Sequence, residues 1–241
     1  MFKMIYNIAR TELQMLFYSP VAWLILVVFG IQAGLIFAGK IEGLVVSQEM
    51  GYSVAGATFN IFANPWGAVF VNMQNYLYFY IPLLTMSLVS KELSSGSIRL
   101  LYSSPITSTQ IVLGKYLSMM FYGLIMLAIV TIYVVFYIFV LKDFDYPVAI
   151  TGLIGIYLIM CLYSAVGLFV SCLTSYQVVA AIGTFAALTI LQVIGGVLQG
   201  VDFWRDITYW ICSGPHGPIA GLINSGDVLY YILMPALFIG M

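Results

Sequence analysis

Long apolar runs alternate with short polar stretches along the whole chain. A membrane-crossing helix needs roughly 20 mostly apolar residues at about 1.5 Å rise per residue. The pattern predicts such spans at about residues 20–39, 71–90 and 116–141, the last two bounded by Lys91 and Lys142. Residues 146–201 carry no charge and are too many for one helix. They divide into spans at about 148–171 and 177–199 around the turn Cys172-Leu-Thr-Ser-Tyr176. A sixth span is placed at about 225–241. Val228 to Met241 reaches only about 21 Å of helix against a core of about 30 Å. Either this helix begins nearer Gly221 or a natural tail follows Met241; the tail is the expectation. Between and before the spans lie, among others, 1–19, the loop 91–115 and the loop 200–224.

Composition agrees with this pattern. The chain has 241 residues, 63% of them hydrophobic and 7% charged, and a mean hydropathy of +1.06. A soluble globular domain carries about 25% charged residues, so a soluble enzyme is excluded. A β-barrel shows strands of roughly ten residues with alternating polarity; here the apolar runs are continuous. The expected fold is therefore an all-α integral membrane protein, one transmembrane domain of six helices spanning residues 1–241. The first apolar run is longer than a signal-peptide core and has no Ala-x-Ala site after it, so it reads as a span that stays.

Basic residues set the orientation, because they concentrate in cytoplasmic loops. With the N-terminus inside, Lys3, Arg10, Lys91, Arg99 and Lys115 face the cytoplasm with Glu12 and Glu92, a net +3. The outer side then holds Lys40, Lys142 and Arg205 against Glu42, Glu49, Asp143, Asp145, Asp202, Asp206 and Asp227, a net −4. Both termini and the 91–115 loop are thus expected inside. Tyr76, Tyr78, Phe79 and Tyr80, with Tyr133, Phe136, Tyr137 and Phe139, are expected to form interfacial belts near the outer surface.

The stretch before the first span is amphipathic. Lys3, Asn7, Arg10, Thr11 and Gln14 fall on one helical face, and Ile5, Ile8, Ala9 and Leu16 on the other. Such a helix lies along the inner surface, and Tyr18-Ser-Pro20 turns the chain into the bilayer. Glu12 falls in the middle of the apolar face. It is either rotated toward water or paired with a cation of the 91–115 loop, since a half-buried carboxylate is costly alone. Arg99, Lys91 and Lys115 are the candidates.

Most catalytic chemistry is missing. His216 is the single histidine, and Cys161, Cys172 and Cys212 have no metal-binding spacing. There is no GxSxG motif and no GxxxxGK[ST] phosphate loop, so the chain by itself cannot cradle ATP. The basic residues are few and scattered, which excludes nucleic acid as a partner. Apart from Asp227 at the start of the sixth, the assigned spans hold no Asp, Glu, Lys, Arg or His, which argues against a proton-coupled transporter. Gln32, Asn75, Thr85, Gln177 and Gln192 either line a path or bond helices together. Gly30 and Gly34 in the first span, and Gly196 and Gly200 at the end of the fifth, allow close helix contact within the chain or with a second copy.

The 91–115 loop carries order signals. Thr107 suits an N-cap and Gln110 the third helical position, a capping box, with Ile106 and Ile111 as hydrophobic staple. The third helix thus starts in the cytoplasm. Ser97 can cap a short helix with Ile98, Leu101 and Tyr102 on one face. A helical hairpin in this loop is a surface on which a partner can dock.

The run Lys91-Glu92, Gly96-Ser97, Leu100-Leu101, Ser104-Pro105-Ile106, Ile111 and Gly114-Lys115 resembles the signature of ABC-2 type permeases. Glu12 and Ser19-Pro20 are similar to that family's elbow helix and its entry to the first span. Within the family the aromatic-rich sequence and short outer loops look most like the permease associated with bacterial gliding motility. The resemblance implies an exporter subunit of the bacterial inner membrane, paired with a second permease and powered by a separate cytoplasmic ATPase that holds ATP and Mg. It implies that Glu92, Gly96, Ser97, Arg99 and Leu101 lie at the ATPase contact. Pro105, Thr107, Gly114 and Lys115 would carry motion into the third span, and Glu12 would tie in the elbow. Two other readings stand beside it. One is a membrane anchor or energy transducer through which nothing crosses. The other is a lipid-modifying enzyme, whose only candidate group is Asp202, Arg205 and Asp206.

Overall fold

The computed structural model describes residues 2–51, 57–62, 68–97, 107–140, 144–198 and 225–240. Among these the regular structure is entirely helical. In chain order the helices are α1 (Phe2–Tyr18), α2 (Pro20–Glu49), α3 (Ala57–Phe62), α4 (Val69–Thr85), α5 (Ser90–Ser95), α6 (Ser108–Val140), α7 (Tyr146–Leu173), α8 (Gln177–Leu198) and α9 (Ser225–Gly240). Three of them, α2, α6 and α7, are long and apolar enough to cross a membrane. With the composition, this makes the chain a membrane protein.

The elements start and stop for local reasons. Ser19 is extended and Pro20 opens α2, because the residue before proline avoids helical geometry while proline suits the first helical position. The Trp23 indole N–H reaches back to the Phe17 carbonyl at 2.8 Å, which fixes the bend between α1 and α2. At the start of α6 the Thr107 N–H donates to Gln110 Oε1 at 3.3 Å, the return half of a capping box. The expected short helix around Ile98 to Tyr102 lies outside the described residues, as do Arg99, Leu101 and Pro105.

Two boundaries differ from the sequence expectation. α2 continues about ten residues past Gly39, through Lys40, Glu42 and Glu49. Charges end the lipid-facing part of a helix; they do not end the helix. α4 stops at Thr85, five residues before the expected end at Ser90, and the chain turns over residues 86–89 before α5. Ser171 of α7 holds that turn. Its hydroxyl accepts from the Val89 and Ser90 N–H groups at 3.2 Å each and donates to the Met86 carbonyl at 3.3 Å. Three backbone groups freed by the break are thereby satisfied, as buried peptide groups require.

Helix directions follow from paired contacts. Tyr122, Tyr133 and Tyr137 of α6 donate to the carbonyls of Ala22, Gly30 and Phe37 of α2 at 2.7, 3.1 and 2.8 Å. Both series ascend, so α2 and α6 are parallel. Phe70 meets Gly152 and Thr85 meets Gly167, so α4 and α7 are parallel as well. α4 opposes α2, since Tyr80 packs on Phe29 and bonds Gln32 while Leu83 and Leu84, further along α4, share a groove with Val21 and Ala22 at the start of α2. α7 is the central helix, packed against α4, α6, α8 and α9, and its apolar segment is by far the most buried of the three long ones.

The aromatic belt therefore needs correction. Tyr78 and Tyr137 are buried, and Tyr78 bonds Thr189 and the Phe185 carbonyl of α8. Phe79, Phe136 and Phe139 are exposed. The hydroxyl decides: a buried tyrosine needs an acceptor, and neighbouring helix carbonyls supply one. Of the neighbouring amides Gln74 and Asn75 on α4, Gln74 is buried, 3% exposed, while Asn75 faces outward.

Candidate functional site

The amphipathic pattern of residues 2–18 lays α1 against the first turns of α6. Gly114 lets it come close. A Cβ on Gly114 would stand 2.6 Å from Ile8 Cγ2 and 2.8 Å from Ile8 Cβ, inside van der Waals distance. This approach places the buried face of α1 over the next residue of α6, Lys115. Independently, the Ser171-held turn aims α5 back toward the same point.

The three elements meet in an ion triad. Lys115 Nζ stands 2.6 Å from Glu12 Oε1 and 2.7 Å from Glu92 Oε1. The lysine is 1% exposed; the two carboxylates are 12% and 21% exposed. Glu12 thus meets Lys115, one of its three candidate partners. Glu92, expected from sequence only as part of a docking surface, is the second carboxylate. The signal was its place one residue after Lys91, but nothing in the spacing predicts that Glu12 and Glu92 share one cation. That follows from the break after α4.

Two carboxylates on one ammonium leave a net negative charge in a largely dry place. Burial pushes the Glu12 carboxyl above its ordinary range, and the nearby Glu92 charge pushes the same way, while Lys115 opposes both. A folded state that holds a proton more tightly than the unfolded state loses stability as pH rises through the window above the ordinary value of 4.5. Conversely, acidification through that window stabilises. Glu12→Gln is expected to flatten this slope in thermal unfolding followed across that window in mild detergent. An unchanged slope would place the titration elsewhere.

The other sequence-predicted residues fall as follows. Gly96 ends α5 in the left-handed region at φ 71°, where glycine is favoured. Ser97 follows it and bonds the Ser95 hydroxyl at 2.9 Å. Thr107 and Gly114 lie at the N-terminal start of α6. Gly30 and Gly34 pack within the chain, Gly30 against Ile129 and Gly34 against the Tyr133 hydroxyl. Gly196 lies in α8, and Gly200 is outside the described residues, as are Asp202, Arg205, Asp206, Cys212 and His216. A groove with a volume of about 530 Å³ opens beside the triad, lined by Glu12 and Glu92 together with parts of α2, α4 and the turn after α4.

Such an arrangement performs no bond chemistry of its own. One buried ammonium fastens three elements together: α1, the short helix α5 and the start of the long apolar helix α6. No curated protein matches the chain. Residues 6–202, which take in most of α1, all three members of the triad and α7, match the family described as ABC-2 family transporter protein. The chain belongs to that family and is a permease of an ABC-type transporter, a transmembrane component that is not itself catalytic.

Proposed function

We propose that this permease is an exporter subunit of the bacterial inner membrane, with six spans and a cytoplasmic N-terminus, driven by a separate ATPase that binds ATP and Mg. A second copy or a related permease completes the transporter. The observation that carries the reading is the triad of Glu12, Lys115 and Glu92. ATPase motion enters through α5 and the polar stretch that follows Gly96. Glu92 moves with α5, Lys115 transmits the displacement into α6, and Glu12 carries α1 along. The joint is stiff because Lys115 cannot leave without stranding both carboxylates, which suits a two-state element biased by a partner. The alternating helix directions support the six-span topology.

One experiment tests the reading: purification of the full chain from native membranes in mild detergent. An ATP-binding subunit carrying a GxxxxGK[ST] loop is expected to come with it. Gly96→Val, which places a β-branched residue at positive φ, is expected to lower that recovery about fivefold or more, the usual range of a coupling energy. Recovery of no ATP-binding subunit, or equal recovery with the variant, counts against it.

A second reading is favoured by one observation. Several polar groups inside the bundle bond within the chain: Gln32 bonds Tyr80, Gln192 bonds Tyr163, and Thr85 bonds its own helix at Ile81, while the buried Gln74 Oε1 has no partner among the described residues. A permease that anchors or drives a larger machine without passing a substrate has that character. The narrower assignment to gliding motility rests on the aromatic-rich sequence; loss of surface spreading on deletion of the gene tests it.

A further inference from the structure

The groove beside the triad joins two chemistries. At one end it is lined by Glu12, Glu92 and Lys91, with Ser95 and Ser97. At the other end lie Val21 at the root of α2 and Leu83 and Leu84 at the end of α4. Val21 is 46% and Leu83 43% exposed, apolar surface at the start of α2 and near the end of α4. The groove thus passes from a polar to an apolar lining, the division an amphiphile carries.

Its charges are specific as well. Lys115 offers one positive charge to two carboxylates, so the triad keeps one negative charge to match. Lys91 on the rim supplies a positive charge on the same helix, one residue from Glu92. A ligand complementary to both is a zwitterion with an N–H-bearing cation at one end and an anion at the other, carried on an apolar tail. We propose that the groove binds the headgroup of a phospholipid with a primary ammonium, the ammonium on the Glu12–Glu92 carboxylates and the phosphodiester toward Lys91. The volume of about 530 Å³ lies in the range of small-molecule sites and takes a headgroup with the first part of its chains. Ammonium donors make charge-assisted bonds to carboxylates. A quaternary amine has no N–H to give, so headgroup chemistry and not lipid in general is selected. The proposal requires neither an ATPase nor a transported substrate, so it stands or falls separately from the function proposed above.

The test is native mass spectrometry and thermal unfolding of the purified full chain, with phosphatidylethanolamine, phosphatidylcholine or phosphatidylglycerol added. One phosphatidylethanolamine is expected to stay on each chain and to raise the unfolding temperature. Phosphatidylcholine should bind about tenfold more weakly or worse, the scale of losing a charged hydrogen bond. Ser87→Trp, which fills the groove without touching the triad, should abolish retention. Glu92→Gln should remove the preference for the ammonium while Lys115 stays paired with Glu12. Equal retention of phosphatidylcholine, preferential retention of phosphatidylglycerol, or full retention by Ser87→Trp would each overturn the proposal. So would a Ser87→Trp chain that loses a protein partner while its lipid binding is unchanged.

Discussion

Lys115→Met is expected to destabilise the protein by about 3–5 kcal/mol, the scale of removing one partner from a buried ion pair. Methionine keeps the length and most of the volume of lysine, so lost packing contributes little. What is lost is the buried charge that lets Glu12 and Glu92 sit together. Two carboxylates within reach of one ammonium become a like-charge pair in a site where Lys115 is 1% exposed, and desolvation leaves each without compensation. The readout is thermal unfolding of the full chain in mild detergent. The electrostatic cause has its own check. Glu12→Gln and Glu92→Gln, each combined with Lys115→Met, should recover part of the loss, and the triple variant most of it, because a neutral triad has no charge left to bury. A Lys115→Met protein as stable as the parent, or a triple variant no better than the single one, would show that the triad contributes position and not stability.

The sequence announced much of this site and missed its logic. The apolar periodicity of residues 2–18 put Glu12 on a buried face, and a carboxylate there demanded a cation; the list of three cations contained the right one. The capping residues Thr107 and Gln110 put the start of α6 ahead of Lys115. What the sequence hid was the geometry that brings Glu92 to the same lysine. The apolar run ending at Ser90 reads as one helix to its end, because nothing local forbids helix at residues 86–89. The break is stabilised by Ser171, some eighty residues away, and a long-range hydrogen bond leaves no periodic trace. The tyrosines failed for the same reason. A tyrosine near a helix end looks alike whether its hydroxyl meets lipid headgroups or the carbonyl of a neighbouring helix. The glycines divide along this line too. Gly30 and Gly34 stood out by GxxxG spacing, yet Gly152 and Gly167, which set the closest approach of α4 and α7, carry no such motif.

Gly167 is accordingly where a small change is expected to do the most damage to packing. A Cβ at Gly167 would lie 2.7 Å from Thr85 Cβ and closer still to the Thr85 hydroxyl. Thr85 is fully buried and bonds the Ile81 carbonyl at 2.9 Å, so it has no free rotamer to retreat into. Replacing glycine by alanine within a helix gains about 1 kcal/mol of propensity. Overpacking a tight contact costs about 1–3 kcal/mol, so Gly167→Ala should be mildly destabilising and Gly167→Val strongly so. The damage should also travel. Ser171 lies one turn further along the same face of α7, and parting α7 from α4 withdraws its hydroxyl from the Met86, Val89 and Ser90 backbone groups. α5 then loses its anchor, and Glu92 its position against Lys115. Gly167→Val should therefore lower the unfolding temperature and release the pH dependence contributed by Glu12, although it touches neither carboxylate. Gly30→Ala, whose new Cβ would find its nearest neighbour at 3.8 Å, should do neither. Thr85→Ala in the Gly167→Ala background removes the hydroxyl that is struck first and should restore most of the loss. If it restores nothing, the contact between α4 and α7 is not what positions the triad.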